Sequence, residues 1–159
     1  MFQQLGPGLI KHEQHKIRDE TLTTMMTLPP SKDDVDFPVT MFKAFNQNFF
    51  EVGFQRNQNI YRWVYILSTP DKARNYQSCY TIEHPTDGKK IEWPDKVKSL
   101  FESHGQIIAD EVCFTLRNVT AKRFTNEESH LEYSVKIRNL KEEAKDDEES
   151  GISDNDNSN

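Results

Sequence analysis

The sequence predicts an all-β protein, an antiparallel β-sandwich of about seven to eight short strands with one short helix. Aromatic and β-branched residues cluster in short runs, and several of these runs alternate with polar residues at a period of two. Turn-forming residues separate the runs at intervals of roughly 8–12 residues, which is typical of a sandwich. No apolar run approaches the roughly 18 residues that a transmembrane helix requires.

Two candidate strands follow a polar N-terminal segment, residues 1–18. Residues 22–28 (LTTMMTL) end at a Pro-Pro pair. Residues 35–41 (VDFPVTM) alternate, so that one face carries Val35, Phe37, Val39 and Met41. Because Pro38 has no backbone donor, we expect the second strand to lie at a sheet edge.

Two hairpins are predicted in the middle of the chain. Residues 49–54 and 60–67 are aromatic and β-branched, and residues 55–59 (QRNQN) form a candidate five-residue loop between them. Residues 79–83 and 90–93 flank a turn that ends in Asp-Gly, a pair that tolerates positive φ. In the last of these strands Ile91 and Trp93 share one face.

One helix and two strands complete the prediction. Asp95 is a candidate N-cap for the helix and Gly105 its end, with an apolar stripe of Val97, Leu100 and Phe101. Residues 112–116 and 131–137 are candidate strands. The second of these alternates without interruption, which directs four side chains inward: Leu131, Tyr133, Val135 and Ile137.

Charge divides the chain into a neutral body and an acidic tail. The last 19 residues contain two lysines and eight acids, whereas residues 1–140 carry 18 basic and 18 acidic residues. The domain prediction is therefore an N-terminal segment at residues 1–18, a sandwich at 19–140 and a disordered acidic tail at 141–159. A neutral body has no basic surface for nucleic acid.

The cellular location follows from what the N-terminus and the cysteines indicate. No basic-then-apolar signal opens the chain, and the two cysteines, Cys79 and Cys113, are most simply reduced thiols. We expect a cytoplasmic protein, or one shared between cytoplasm and nucleus, without membrane contact.

Catalytic patterns are weak. Cys79 and His84 lack a third orienting group, so a hydrolase built on them is disfavoured. Alternating carboxylates at Glu51, Glu83, Glu92 and Glu132 are typical of a solvated sheet face. His12 and His15 have the spacing of half a zinc site, but no cysteine pair precedes them. A β-sandwich without an active site is more often a binding module, and such modules bind extended peptides along a strand edge.

The order of these elements resembles the TRAF-like substrate-binding domain of the seven-in-absentia (Siah) ubiquitin ligases over about residues 9–138. The stretches that carry the resemblance are His12–Ile17, Leu28-Pro29, Val35-Asp36-Phe37, Thr69 with Lys72–Tyr76, Ile91-Glu92-Trp93, Asp110–Phe114 and Leu131–Ile137.

The resemblance implies a dimeric, non-catalytic domain that captures a short degron peptide from protein substrates for ubiquitin-dependent degradation. Carried over by position, the peptide groove comprises Val35, Asp36, Phe37, Val39 and Ser134, with Leu22 or Thr24 on the strand opposite. The family's RING and first zinc finger have no counterpart here, so no ubiquitin transfer is expected from this chain alone. No cofactor is expected in this chain, because zinc in the family belongs to that N-terminal part. His12 and His15 could bind zinc only with a supplied cysteine pair.

Three departures from the family pattern bear on the groove. Phe37 and Ser134 replace a Trp and an Asn, and Pro38 removes a donor, so we expect either an altered peptide preference or a loss of binding. Two alternatives stay open: a truncated regulatory paralogue that dimerises with a full ligase, and a general TRAF or MATH-type adaptor.

Overall fold

The computed structural model describes the backbone of residues 16–18 and both backbone and side chains of residues 20–144. The strands are β1 (Lys16–Arg18), β2 (Thr21–Thr27), β3 (Val35–Asp36), β4 (Thr40–Ala44), β5 (Gln47–Arg56), β6 (Asn59–Ile66), β7 (Tyr76–Glu83), β8 (Lys90–Lys96), β9 (Lys98–Ser99), β10 (Phe114–Arg117) and β11 (His130–Asn139). The helices are α1 (Pro70–Ala73), α2 (His104–Ala109), α3 (Asn118–Ala121) and a 3₁₀ turn at Lys122–Phe124. Residues 140–144 are also helical.

The strands form two sheets, which confirms the predicted β-sandwich. Sheet I has the order β1-β2-β11-β7-β8. Sheet II has the order β10-β6-β5-β3, with β4 also paired to β5 and the short β9 running parallel to β6. All other pairings are antiparallel.

The main core lies between the two sheets. The four inward residues predicted for β11 are all buried, which confirms the period-two interpretation of that strand. Ile91 and Trp93 also pack against this core from β8, which confirms that they share one face. A smaller cluster of Trp63, Ile107 and Cys113 lies on the outer face of sheet II, where α2 covers part of it.

The β5–β6 hairpin exists, but its predicted five-residue loop is wrong. The turn has only two residues, Asn57 and Gln58, with φ of 50° and 65°. Positive φ at both positions defines the tight turn that matches the twist of an antiparallel pair. Phe45 and Asn46 form the same turn between β4 and β5, with φ of 51° and 57°.

The predicted helix after Asp95 is also wrong. The chain stays extended to Lys96, because β8 pairs with β7 along its whole length. The Asp95 carboxylate accepts hydrogen bonds from Lys98 Nζ at 2.9 Å and from the Lys96 N–H, so it does not cap a helix. Helix α2 instead begins at His104, capped by Ser103. Leu100 and Phe101, predicted to pack inward, are 52% and 73% exposed.

Candidate functional site

One edge of sheet II is formed by two short strands. Both β3 and β4 pair with β5, and the described residues supply no second partner for either. The prediction that residues 35–41 lie at a sheet edge is therefore confirmed. The expectation of one uninterrupted strand is wrong, because the segment breaks at Phe37-Pro38-Val39.

The break is a β-bulge. Val35 pairs with Gln55 and Asp36 with Phe54, whereas Thr40 pairs with Glu51. Two residues, Pro38 and Val39, therefore lie opposite a single partner residue of β5. The extra residue reverses the alternation, so that after the bulge the buried side chains are Thr40, Phe42 and Ala44. Met41, predicted to face inward with Phe37, instead points to the other face.

Residues Val35–Val39, which we call the edge segment, present backbone groups away from the sheet. The Phe37 N–H donates to the Gly53 carbonyl oxygen at 3.0 Å. Since backbone groups alternate in direction along an antiparallel strand, those of Asp36 and Pro38 point away from β5. Asp36 offers both an N–H and a C=O there, and Pro38 offers only its C=O. The Asp36 side chain is exposed and forms an ion pair with Arg56.

A buried ion cluster of Glu51, Arg62 and Tyr133 lies between the sheets. Glu51 Oε1 accepts hydrogen bonds from Arg62 Nη1 at 3.0 Å and from the Tyr133 hydroxyl at 2.7 Å. The side chains of Glu51 and Arg62 are 0% and 5% exposed. The prediction that Glu51 lies on a solvated face is therefore wrong. It is confirmed for the other three carboxylates, which are exposed: Glu83, Glu92 and Glu132.

The Arg62 guanidinium connects this cluster to the edge segment. Its central carbon lies 4.6 Å from the centre of the Phe37 ring and 4.7 Å from the centre of the Tyr133 ring. Its Nη2 lies 3.0 Å from the Sδ of Met26, on β2. One side chain therefore contacts both sheets. Met26 lies on β2 beyond the residues that pair with β1, and Phe37 follows β3 at the edge of sheet II.

Burial shapes the electrostatics of the cluster. It raises the pKa of Tyr133 well above its ordinary value of 10.0, although the charge of Arg62 opposes this rise. The pKa of Tyr80 is raised in the same way by burial and by the charge of Glu51. For Arg62, burial lowers the pKa, but electrostatic interaction with Tyr133 and with the charge of Glu51 outweighs it, so the pKa is raised. The cluster therefore holds a charged guanidinium and neutral phenols across the physiological pH range.

Gly53 provides the space in which Arg62 crosses the sheet. It faces Arg62 across the β5–β6 pair, and a Cβ atom at Gly53 would lie 2.7 Å from Arg62 Cγ and 3.0 Å from the Tyr61 carbonyl oxygen. The same glycine accepts the Phe37 hydrogen bond. Gly53, in the sequence FEVGF, therefore lies where the aliphatic part of the Arg62 side chain and the edge segment meet, and it has no side chain of its own.

A second polar network fixes the loop between β2 and β3. Gln55 is fully buried, and its Nε2 donates to the carbonyl oxygens of Pro30 and Asp33 at 2.8 and 2.9 Å. Its Oε1 accepts a hydrogen bond from Asn118 Nδ2 at 2.8 Å. These bonds satisfy backbone groups of the loop that leads into Val35, and so they determine where the edge segment starts.

The structure brings together only part of the predicted peptide site. The edge segment contains Val35, Asp36, Phe37 and Val39. Leu22 and Thr24 lie on the neighbouring sheet, but their side chains are buried and face the core. Ser134 lies in the middle of sheet I, between Thr23 and Thr81, on the face opposite to that of Leu22. That Ser134, Leu22 or Thr24 contacts a peptide stays a prediction.

The weak enzyme pattern gains no geometric support. Cys79 lies in the middle of β7 and His84 follows its end, about 16 Å away along an extended strand. His84 Nδ1 instead accepts backbone hydrogen bonds from Thr86 and Asp87. Burial raises the pKa of the Cys113 thiol, so Cys113 is no activated nucleophile. Within residues 20–144, no group of three or more His, Cys, Asp or Glu side chains is placed to hold a metal ion.

His12 and His15 lie outside the described residues, so their zinc binding stays a prediction. In the part of the chain that the structure describes, no helix is long and apolar enough to cross a membrane.

These features define a β-sandwich with an open strand edge beside a buried ion cluster. The model of one protein family, described as the Sina, TRAF-like domain, matches residues 42–136, more than half of the chain. The chain belongs to this family, and so the domain is a Siah-like substrate-binding domain at the family level. No curated protein matches the chain significantly.

The matched range bears on the candidate site. It includes the buried ion cluster and Ser134, but it begins after the edge segment. Glu51 was missed from the sequence as a site residue, and the only available signal was an opposite charge, Arg62, on the strand predicted to pair with it.

Proposed function

We propose that this domain binds an extended degron peptide by adding it as a further strand beside the edge segment, and that it thereby selects protein substrates for ubiquitin-dependent degradation. The observation that carries the proposal is the one-sided pairing of Val35–Asp36, which leaves the N–H and C=O of Asp36 directed away from β5. Strand addition uses such groups for affinity and alternate side-chain contacts for specificity.

The Phe37 ring supplies the side-chain contact in this proposal. It is half-buried and packs against the main core, so one part of it is available at the edge. A peptide strand beside Asp36 places one of its side chains over Phe37, since neighbouring strands bring their same-face side chains within about 4.5–5.5 Å.

The test is binding of a fluorescent peptide of the type Pro-x-Ala-x-Val-x-Pro, measured by anisotropy. We expect a micromolar Kd for the wild type and at least about tenfold weaker binding for Phe37→Ala. Phe124→Ala is the matched control, because Phe124 is also half-buried against the main core but lies beside His84, away from the edge segment. Folding of each variant is checked by circular dichroism.

Two results would contradict the proposal. One is the absence of binding by folded wild-type protein. The other is equal weakening by Phe37→Ala and Phe124→Ala, which would mean that loss of packing, rather than loss of a peptide contact, explains the effect.

A second candidate function, pairing with another copy or with a related ligase, is favoured by a separate observation. Leu67, Leu100 and Phe101 are 45%, 52% and 73% exposed at the end where β9 runs beside β6. Leu100 donates its N–H to the Ile66 carbonyl oxygen at 3.1 Å, which places Leu100 beside Leu67. Adjacent exposed apolar side chains are typical of interaction surfaces. Light scattering of the wild type and of Phe101→Ser tests this: a monomeric wild type at high concentration would refute self-association.

Two further expectations concern the cellular location and the choice between related families. A cytoplasmic or nuclear location suits a domain with two free thiols, Cys79 and Cys113. The family match favours the seven-in-absentia interpretation over a general TRAF or MATH-type adaptor.

A further inference from the structure

We propose that Arg62 is a positioning residue for the peptide edge: its guanidinium, held by Glu51 and Tyr133, fixes the Phe37 ring and the Met26 side chain and so determines the shape of the site between the two sheet edges. This inference rests on the proposed function, since it assigns to a residue outside the edge segment the role of preparing that segment for a peptide.

The guanidinium of Arg62 is oriented by its buried partners. Nη1 is fixed by Glu51 Oε1, and the same oxygen is fixed by the Tyr133 hydroxyl. The position of Nη1 is therefore fixed by a charge-assisted hydrogen bond to an oxygen that the Tyr133 hydroxyl holds in place. The central carbon of the guanidinium lies over the Phe37 ring, 4.6 Å from the centre of the ring, within the range of a cation–π contact.

Arg62 also connects the two sheets. Met26 belongs to β2 of sheet I, and Phe37 directly follows β3 of sheet II. Both contact Arg62, Met26 through its sulfur and Phe37 through its ring. A movement of the guanidinium would therefore change the positions of both side chains together, whereas neither strand pairs with the other.

Stability alone does not explain the cluster. A buried ion pair is often no more stable than apolar residues of the same volume, because both charges lose their hydration. Here Glu51 Oε2 and Arg62 Nε are buried without a hydrogen-bond partner among the described residues, which adds to the cost. Fixed geometry is what a planar guanidinium provides and an apolar side chain does not.

The consequence for binding is preorganisation. Without support, a half-buried phenylalanine ring samples several rotamers. A peptide that contacts the ring in one rotamer must restrict it to that rotamer, which reduces the affinity. With Arg62 beneath it, the Phe37 ring is already restricted before the peptide arrives. The contribution of Arg62 to affinity therefore passes through Phe37, and it disappears when Phe37 is absent.

The experiment is a double-mutant cycle of Arg62→Lys and Phe37→Ala, with peptide binding as the readout. Lysine keeps the charge near Glu51 but lacks the planar group that contacts Phe37 and Met26. We expect Arg62→Lys to weaken peptide binding by about tenfold when Phe37 is present. When Phe37 has been replaced by alanine, we expect Arg62→Lys to have almost no further effect on binding. Arg138→Lys, on the exposed face of sheet I, is the matched control and should not change binding.

A readout without peptide separates the two proposals. In protein labelled at the methionine methyl groups, the Met26 signal should shift in Arg62→Lys and in Phe37→Ala, whereas the signal of exposed Met25 should not. If Arg62→Lys does not fold, Tyr133→Phe takes its place, because it removes one hydrogen bond to Glu51 and keeps the ring.

The outcomes are distinct. Additive effects in the cycle, or wild-type affinity in Arg62→Lys, would overturn the role of Arg62 and leave the proposed function standing. The absence of peptide binding by wild-type protein would overturn both. Coupled losses of affinity together with the Met26 shift would establish Arg62 as a positioning residue.

Discussion

Substitution of Gly53 by alanine is the smallest change that should disturb the site. The added methyl group would lie 2.7 Å from Arg62 Cγ and 3.0 Å from the Tyr61 carbonyl oxygen, both closer than ordinary contact. The Tyr61 oxygen belongs to the backbone, and Arg62 Cγ lies near the start of its side chain. Neither can move away by a simple rotation at the end of a flexible side chain, so either the strands separate or Arg62 leaves its place.

The magnitude follows from two opposing effects. Overpacking a buried position costs about 1–3 kcal/mol. Replacing glycine by alanine stabilises by about 0.4–1 kcal/mol through the unfolded chain, and Gly53 lacks the positive φ that would cancel this gain. We expect a net loss of about 1–2 kcal/mol in the free energy of unfolding, or a Tm lower by roughly 2–8 °C.

The assay is urea unfolding followed by the fluorescence of fully buried Trp63. The matched control is Gly105→Ala in helix α2, where the nearest atom to the new Cβ is Ser103 Oγ at 3.7 Å. Alanine should leave stability unchanged or raise it there, since it is the better helix former. A Gly53→Ala protein as stable as Gly105→Ala would refute the argument that Gly53 makes room for Arg62.

Three further predictions concern other parts of the molecule. Folding raises the pKa of Tyr133, so the stability that this residue contributes is complete below about pH 10 and is lost as the pH rises further. Tyr133 should therefore stay protonated in the folded protein while exposed tyrosines ionise. A titration followed by absorbance at 295 nm should give Tyr133→Phe and wild type the same amplitude until the protein unfolds. Gln55→Leu removes the hydrogen bonds that Gln55 donates to the Pro30 and Asp33 carbonyl oxygens and accepts from the Asn118 amide, and it should cost about 2–3 kcal/mol in urea unfolding; a loss below about 1 kcal/mol would contradict this. Phe101→Ser should change the free energy of unfolding by less than about 0.5 kcal/mol at low protein concentration, because the side chain is mostly exposed. A larger loss would mean that Phe101 packs in the core, as the sequence predicts.

Strand β11 is predicted best from the sequence, because its two faces differ most in polarity. In β11 the four buried residues are Leu131, Tyr133, Val135 and Ile137, and most of the residues between them are charged, so the period of two assigns these side chains without ambiguity. The face of sheet II that carries Trp63 is different. Apolar residues occur on both faces of β5, because α2 covers part of the outer face. Alternation alone therefore could not assign the inward residues.

The missed ion cluster follows from an error in register. A five-residue loop at residues 55–59 would pair Phe54 with Ile60 and place Glu51 and Arg62 on opposite faces. The two-residue turn pairs Phe54 with Tyr61 and Gly53 with Arg62. A shift of one residue exchanges the faces of a strand, so the true register places Glu51 and Arg62 on the same face. The turn was overlooked because Asn57-Gln58 lacks the glycine that usually marks it.

The bulge limits how a peptide could be held at the edge. Pro38 has no N–H, so a strand added there could receive hydrogen bonds only from the Asp36 N–H and donate only to the carbonyl groups of Asp36 and Pro38. Each such bond contributes about 0.5–1.5 kcal/mol, and strand edges interrupted by proline and a bulge resist pairing with arbitrary chains. Backbone pairing alone is therefore too weak for micromolar binding, which needs about 8 kcal/mol. The larger part has to come from side-chain contacts at Phe37, and for that reason the position of Phe37 over Arg62 matters more to the proposed function than the length of the open edge.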